Sequence, residues 1–224
     1  PNQCRYISHT ARYPVYKNTD VEYYAEADIS FAAQIEELKK AEHFIFMEYH
    51  AIEDALSFER LKKVLIEKAQ SGVEVRIFYD DLGSIFFLNK EFIKRMREQG
   101  IQCRVFNPLK VVVNMFMNNR DHRKILVIDG RVAFTGGTNL ADEYINKKER
   151  FGHWKDTAVM LKGEAVERFT FMFLEMWGVS ERGDLEYEPY RTPKDMQMPN
   201  DGYVIPYDVM PYGYERTGKQ VYLD

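Results

Sequence analysis

Apolar side chains recur along residues 28–177 at alternating helix and strand periods, and the pattern fades after Ser180. Residues 28–41 put Ile29, Ala32, Ile35 and Leu38 on one helical stripe, and Phe44-Ile45-Phe46-Met47 follows as a buried strand. Residues 57–71 repeat the stripe with Phe58, Leu61, Val64, Leu65 and Ala69. They close at Gly72 and lead into the alternating strand Val73-Val75-Ile77-Tyr79. A third helix over 88–99 carries Phe92, Ile93 and Met96 and ends at Gly100, before a strand from Ile101 to Phe106. Strand 156–162 and a helix over 164–177, with Val166, Phe169, Phe173, Leu174 and Trp177, complete the series. This order predicts an α/β domain over residues 1–180, an α-β-α sandwich around a central mixed, mostly parallel sheet. Residues 181–220 are rich in Pro, Tyr, Asp and Gly without a period, so 181–224 reads as an irregular linker strapped over a surface.

One stretch departs from this architecture by carrying chemistry. Ile125 to Ile128 is an apolar, β-branched run, and Asp129-Gly130 is a two-residue hairpin signal ahead of Arg131-Val132-Ala133-Phe134. Just before the run stand His122 and Lys124, which strand alternation puts on one face. Asp129 differs from them in parity and sits at the turn, where it fixes the turn or pairs with a cation. Gly136-Gly137 permits close backbone approach, and the Asn139 amide can donate to a phosphate oxygen. A neutral imidazole attacks phosphorus, while an ammonium and amide donors hold the oxygens on which charge gathers. The kit suits phosphoryl chemistry without a metal or other cofactor.

Charge and cysteine content narrow the field. The 224 residues are 45% hydrophobic, enough for a sizeable core, and the net charge of −4 speaks against a nucleic-acid partner. Cys4 and Cys103 lie far apart without CxxC spacing, which suggests free thiols in a reducing compartment. No apolar run reaches the roughly 20 residues that span a bilayer, so this chain is expected to be soluble or peripheral. His50, Glu53, Asp54, Asp80 and Asp81 match no metal-ligand spacing and read as a solvated loop. Val111-Val112-Val113-Asn114-Met115-Phe116-Met117 has two readings, a lip dipping among acyl chains or a core element.

The pattern His122-x-Lys124-x4-Asp129, then Gly136-Gly137-x-Asn139, resembles the phospholipase D superfamily. The flanks Phe44-Ile45-Phe46-Met47-Glu48-Tyr49, Gly72-Val73-Glu74-Val75-Arg76, Tyr79-Asp80-x-x-Gly83-Ser84, Asn119-Arg120-Asp121 and Trp154-Lys155-Asp156-Thr157 are similar to those of bacterial cardiolipin synthases. The resemblance runs through most of residues 10–180. It implies a phosphatidyltransferase that joins two phosphatidylglycerols into cardiolipin and glycerol. His122 would be the nucleophile of a phosphohistidine intermediate, and Lys124, Gly137 and Asn139 would be phosphate contacts. It also implies an acid that holds the histidine, with Asp156 ranked first and Asp129 second on parity grounds. Glu48 and Tyr49 match the family's early strand and are possible cleft residues.

Superfamily enzymes use two facing motifs, one histidine as nucleophile and one as acid, and this chain has a single HxKxxxxD. Val221-Tyr222-Leu223-Asp224 resembles the opening of a second half. The expectation is therefore a catalytic half whose partner is either a second half of the same protein or a homodimer mate. The expected setting is the cytoplasmic face of the cell membrane, with an anionic phospholipid as substrate. Two other readings stay open: a dimeric phospholipase or nuclease of the same superfamily, and a module that holds phosphate or lipid without turnover.

Overall fold

A computed structural model describes residues 2–9, 13–85, 87–108, 120–150, 152–179, 186–199 and 202–207. The chain opens with α1 (Asn2–His9), then β1 (Thr19–Tyr24), α2 (Ala27–Leu38), β2 (Phe44–Tyr49), α3 (Leu56–Gln70) and β3 (Glu74–Asp80). A single turn α4 (Asp81–Ser84), α5 (Lys90–Glu98) and β4 (Gln102–Phe106) follow. The last elements are β5 (Lys124–Ile128), β6 (Val132–Gly136), β7 (Ala158–Gly163) and α6 (Val166–Val179). The seven strands form one sheet in the order β1-β7-β6-β5-β2-β3-β4.

Both faces of this sheet are covered, which is why β2 is buried at every position and carries no alternation. On one face Ile45, Met47, Ile77, Leu126 and Phe134 pack with Phe31, Phe58, Leu61 and Phe92 of α2, α3 and α5. On the other, Phe44, Phe46, Phe78, Ile125 and Val127 pack with Phe169, Phe173 and Trp177 of α6. Phe46 and Phe173 stack with centroids 4.7 Å apart. Each fully buried aromatic of this kind contributes on the order of 1.5–3 kcal/mol through removal from water. Residues 186–207, where described, lie on the α6 side: Tyr190 packs on Phe44 and Phe46 and its hydroxyl donates to Glu74 at 2.9 Å.

The α/β sandwich agrees with the periodicity, but the share of parallel pairing does not. Among the described strands only β2–β3 and β3–β4 pair in parallel, whereas β1–β7, β7–β6, β6–β5 and β5–β2 are antiparallel. Helical crossovers enforce parallel pairing in the first half, and β5, β6 and β7 follow one another without a helix between them. The Asp129-Gly130 hairpin forms as its residues demand: φ is 53° and 63°, and Arg131 N–H closes the turn on the Ile128 carbonyl at 2.9 Å. The apolar run Val111–Met117 lies outside the described residues. Among the described residues no helix is long and apolar enough to cross a membrane.

Candidate active site

Strands β2 and β3 run parallel, and their C-terminal ends deliver His50 and Asp80 to the same edge of the sheet. Strand β5 runs antiparallel to β2 with Lys124 paired to Tyr49, so its N-terminal lead-in brings His122 to that edge as well. The switch from parallel to antiparallel pairing at β2 opens the crevice in which α/β sheets place their ligands.

His122 is exposed, whereas Lys124 two residues on is buried. The Lys124 ammonium donates to the His122 carbonyl at 2.8 Å and lines a narrow crevice with Gln34, Tyr49, Thr135 and Thr138. Burial, only partly offset by Asp121 and Asp156, pulls the Lys124 pKa down to about 8. His122 is also held below its ordinary value, by burial first, then by the positive charge of Lys124 and by His50, against the pull of Asp121 and Asp80. An accessible imidazole kept neutral beside a buried ammonium has the protonation a phosphorus nucleophile needs.

Beneath the histidine lies a buried polar layer. Asp80 is fully buried and accepts the backbone N–H of Asp121 at 2.9 Å and those of Leu82 and Gly83 at 2.9 and 3.2 Å, with Arg120 at 3.4 Å. Glu48, also fully buried, takes Arg123 Nε at 2.5 Å, and the same nitrogen stands 3.6 Å from Asp121 Oδ1. Two buried carboxyls thus share one guanidinium. Burial and the neighbouring Asp121 push Glu48 well above the usual carboxylate range, and burial also raises Asp121, so the pair holds a proton more readily than free carboxylates do. Glu48 Oε2 and Asp121 Oδ2 have no hydrogen-bond partner among the described residues, and that proton would bridge them.

The remaining sequence candidates are distributed unevenly. Asn139 is buried, and its Oδ1 accepts the Ala51 N–H at 3.2 Å, which leaves the Nδ2 hydrogens to donate elsewhere. Tyr49 is buried and its hydroxyl donates to Gln34 at 3.1 Å. Asp156 accepts the Thr157 N–H and faces Gly137: a Cβ built on that glycine would stand within 2.1 Å of Asp156 Oδ1. Glycine at 137 therefore serves contact with Asp156, whose charge acts on Lys124. Asp129 lies at the opposite end of β5 from His122, where its carboxylate accepts the N–H groups of Glu42, His43 and Phe44, each at 2.8 Å.

Of the residues read as a solvated loop, Asp80 is instead at the heart of the site, and His50 touches His122. The expectation fails because loop position alone does not reveal that two parallel strands end side by side. Glu53 caps Asp142 N–H at 3.3 Å and Asp54 pairs with Lys62 and Arg95, both away from the motif. Among the described residues no cluster of His, Cys, Asp and Glu could hold a metal. Arg120, Asp121 and Arg123 flank the motif in sequence, so proximity to His122 was the available signal for them.

A family model described as cardiolipin synthase, PLD-like domain, matches residues 34–177, more than half of the chain and all of this site. The chain belongs to that family. A cardiolipin synthase of Geobacillus sp. strain WCH70 is 36% identical over 192 residues, covering 85% of this chain and 38% of its own length. An uncharacterized protein of Streptococcus mutans serotype c is 47% identical over 223 residues, covering 100% of this chain and 48% of its own. The chain thus spans less than half the length of these curated relatives. Two solved structures share the fold. Phosphatidylserine synthase of Haemophilus influenzae Rd KW20 has a TM-score of 0.59 at 12% identity, covering 85% of this chain and 46% of that one. Nuc of Salmonella typhimurium, a phospholipase D family member, has a TM-score of 0.51 at 18% identity, covering 74% and 95%. At these identities the likeness speaks for the phospholipase D-like fold alone.

Proposed function

We propose that this phospholipase D-like domain is one catalytic half of a cardiolipin-forming phosphatidyltransferase. The observation that carries the reading is the exposed, neutral His122 beside the buried ammonium of Lys124 at the sheet edge. In the first step an imidazole nitrogen of His122 attacks the phosphorus of phosphatidylglycerol, the bond to the glycerol oxygen breaks, and an acid supplied by a second half or a second copy protonates the departing glycerol. In the second step the hydroxyl of another phosphatidylglycerol attacks the same phosphorus, passes its proton to the group that protonated the glycerol, and the P–N bond to His122 breaks. Two phosphatidylglycerols give one cardiolipin and one glycerol.

Within this scheme Lys124 neutralises charge that gathers on the phosphoryl oxygens, and the Asn139 amide hydrogens add a neutral donor. Lys124 also faces Asp156, so Asp156 acts on the ammonium; the groups that bear on the His122 ring are Lys124, His50, Asp121 and Asp80. The substrate of this reading is an anionic phospholipid presented by a membrane surface, and the proposed setting is the cytoplasmic face of the cell membrane.

The test uses the full-length protein and phosphatidylglycerol carrying a labelled phosphate in mixed vesicles. Label should be trapped on His122 as an acid-labile, base-stable adduct, with cardiolipin and glycerol released in equal amounts. In His122→Ala both adduct and product should fall by at least about 10³-fold while the fold is retained. Product formation by His122→Ala at the parent rate would refute the assignment.

A further inference from the structure

His50 enters none of these steps, yet its ring lies against the reacting one. The His50 and His122 ring centroids are 4.7 Å apart with an interplanar angle of 53°. His50 Nδ1 is 2.7 Å from the Asp121 carbonyl, and because a carbonyl only accepts, the ring carries its hydrogen on Nδ1. Behind it stands Gly83, where a Cβ would come within 2.2 Å of the His50 carbonyl and 2.8 Å of Nε2. Ser84 Oγ in turn accepts the Ile52 N–H at 3.1 Å and donates to the His50 carbonyl at 3.5 Å. The ring is thus boxed on three sides by a backbone carbonyl, a glycine and the His122 imidazole.

We propose that His50 is a positioning residue for phosphoryl transfer: wedged between Gly83 and the Asp121 carbonyl, its imidazole packs on His122 and fixes the direction in which the reacting nitrogen faces. This rests on the function proposed above. The arrangement has two physical effects. A flat partner removes rotamers from an exposed side chain, so the reacting nitrogen is held where the phosphorus arrives. Two adjacent imidazoles also resist becoming cationic together, so His50 helps keep His122 neutral and nucleophilic. The titratable groups that bear on His122 are Lys124 on β5, Asp121 in the lead-in, Asp80 at the end of β3 and His50 after β2. His50 belongs with Lys124 in lowering proton affinity there, and the two carboxylates oppose them.

The test combines histidine titration by NMR with pH–rate profiles of the full-length protein, using His50→Asn and His50→Phe. Asn keeps a donor for the Asp121 carbonyl without the ring, and Phe keeps a ring without the donor or the charge. In both, His122 should titrate at a higher pH than in the parent and the acid limb of the rate profile should move up with it. In His50→Asn kcat should fall roughly 10- to 100-fold with KM little changed, and Phe should recover part of that loss. An unmoved His122 titration together with kcat within twofold of the parent in His50→Asn overturns the proposal. If the parent protein transfers no phosphate, the function above falls separately. The titration then decides the pairing: an upward move upholds it and an unmoved His122 overturns it.

Discussion

The two ends of β5 carry the same sequence motif and opposite physical characters. At the N-terminal end His122 is exposed, Lys124 is buried with its pKa drawn down to about 8, and the carboxyls beneath share too few partners. At the C-terminal end Asp129 is saturated: three backbone N–H groups reach its two oxygens at 2.8 Å, and its φ of 53° sits in a tight turn with Gly130. Reactive groups are those left with unspent charge or unfilled hydrogen-bonding capacity, whereas a satisfied carboxylate is a staple. The aspartate of the motif ties the start of β2 to the end of β5. It aligns the strand that carries the lysine and lies at the far end of that strand from His122.

The sharpest break of this comparison is Asp129→Ala. It strands three backbone donors that now bond a carboxylate and places alanine in the left-handed region, so stability should fall by about 3 kcal/mol in urea unfolding. The turnover per folded molecule, measured where the variant is still native, should stay within about twofold of the parent, as expected of a group remote from the reaction. A variant of parental stability with turnover lost would reverse the roles of the two ends.

A smaller effect sharpens the other end. The Lys124 ammonium is lost as pH rises through about 8, so phosphatidyl transfer should decline on the alkaline side from that point. Lys124→Arg places a cation that stays charged throughout this range, and whatever rate remains should lack that alkaline limb. An alkaline limb of the same midpoint in Lys124→Arg would assign the titration to another group. On the acid side His122 must be neutral, and because its folded value lies below the ordinary imidazole value, activity should persist to lower pH than a free histidine would allow.

Much of the fold is legible along the chain because β2, α3, β3, α5 and α6 each bury a periodic stripe, and their limits fall within a few residues of the expected ones. Strand β1 is not legible: it is an edge strand with Val21 and Tyr23 exposed at 47% and 63%, so no buried face marks it. Strand direction also escapes the periodicity, since a buried strand looks the same whether its neighbour runs with it or against it. In the site, His122, Lys124 and Asn139 announce themselves through spacing. His50 and Asp80 do not, because their proximity depends on β2 and β3 pairing Tyr49 with Tyr79, a tertiary fact that only the register supplies.

The last test probes the layer below the reactive end. Glu48 has its folded pKa raised, so the folded state binds a proton more tightly than the unfolded chain does. Stability is then fully favoured below the ordinary glutamate value of about 4.3 and declines as pH rises above it, by at most about 1.4 kcal/mol per pH unit until the folded group itself ionises. Glu48→Gln keeps the length of the side chain, an oxygen for Arg123 and a hydrogen that can face Asp121, but it cannot titrate. Urea unfolding at a series of pH values should therefore show a flatter stability profile for the variant from pH 5 to 8, with the two proteins nearest in stability at the acid end. Equal slopes would mean that Glu48 ionises in the folded state as readily as in water. The contrast would then narrow to Lys124 and the histidines, with the buried carboxyl layer serving Arg123 as an ordinary ion pair.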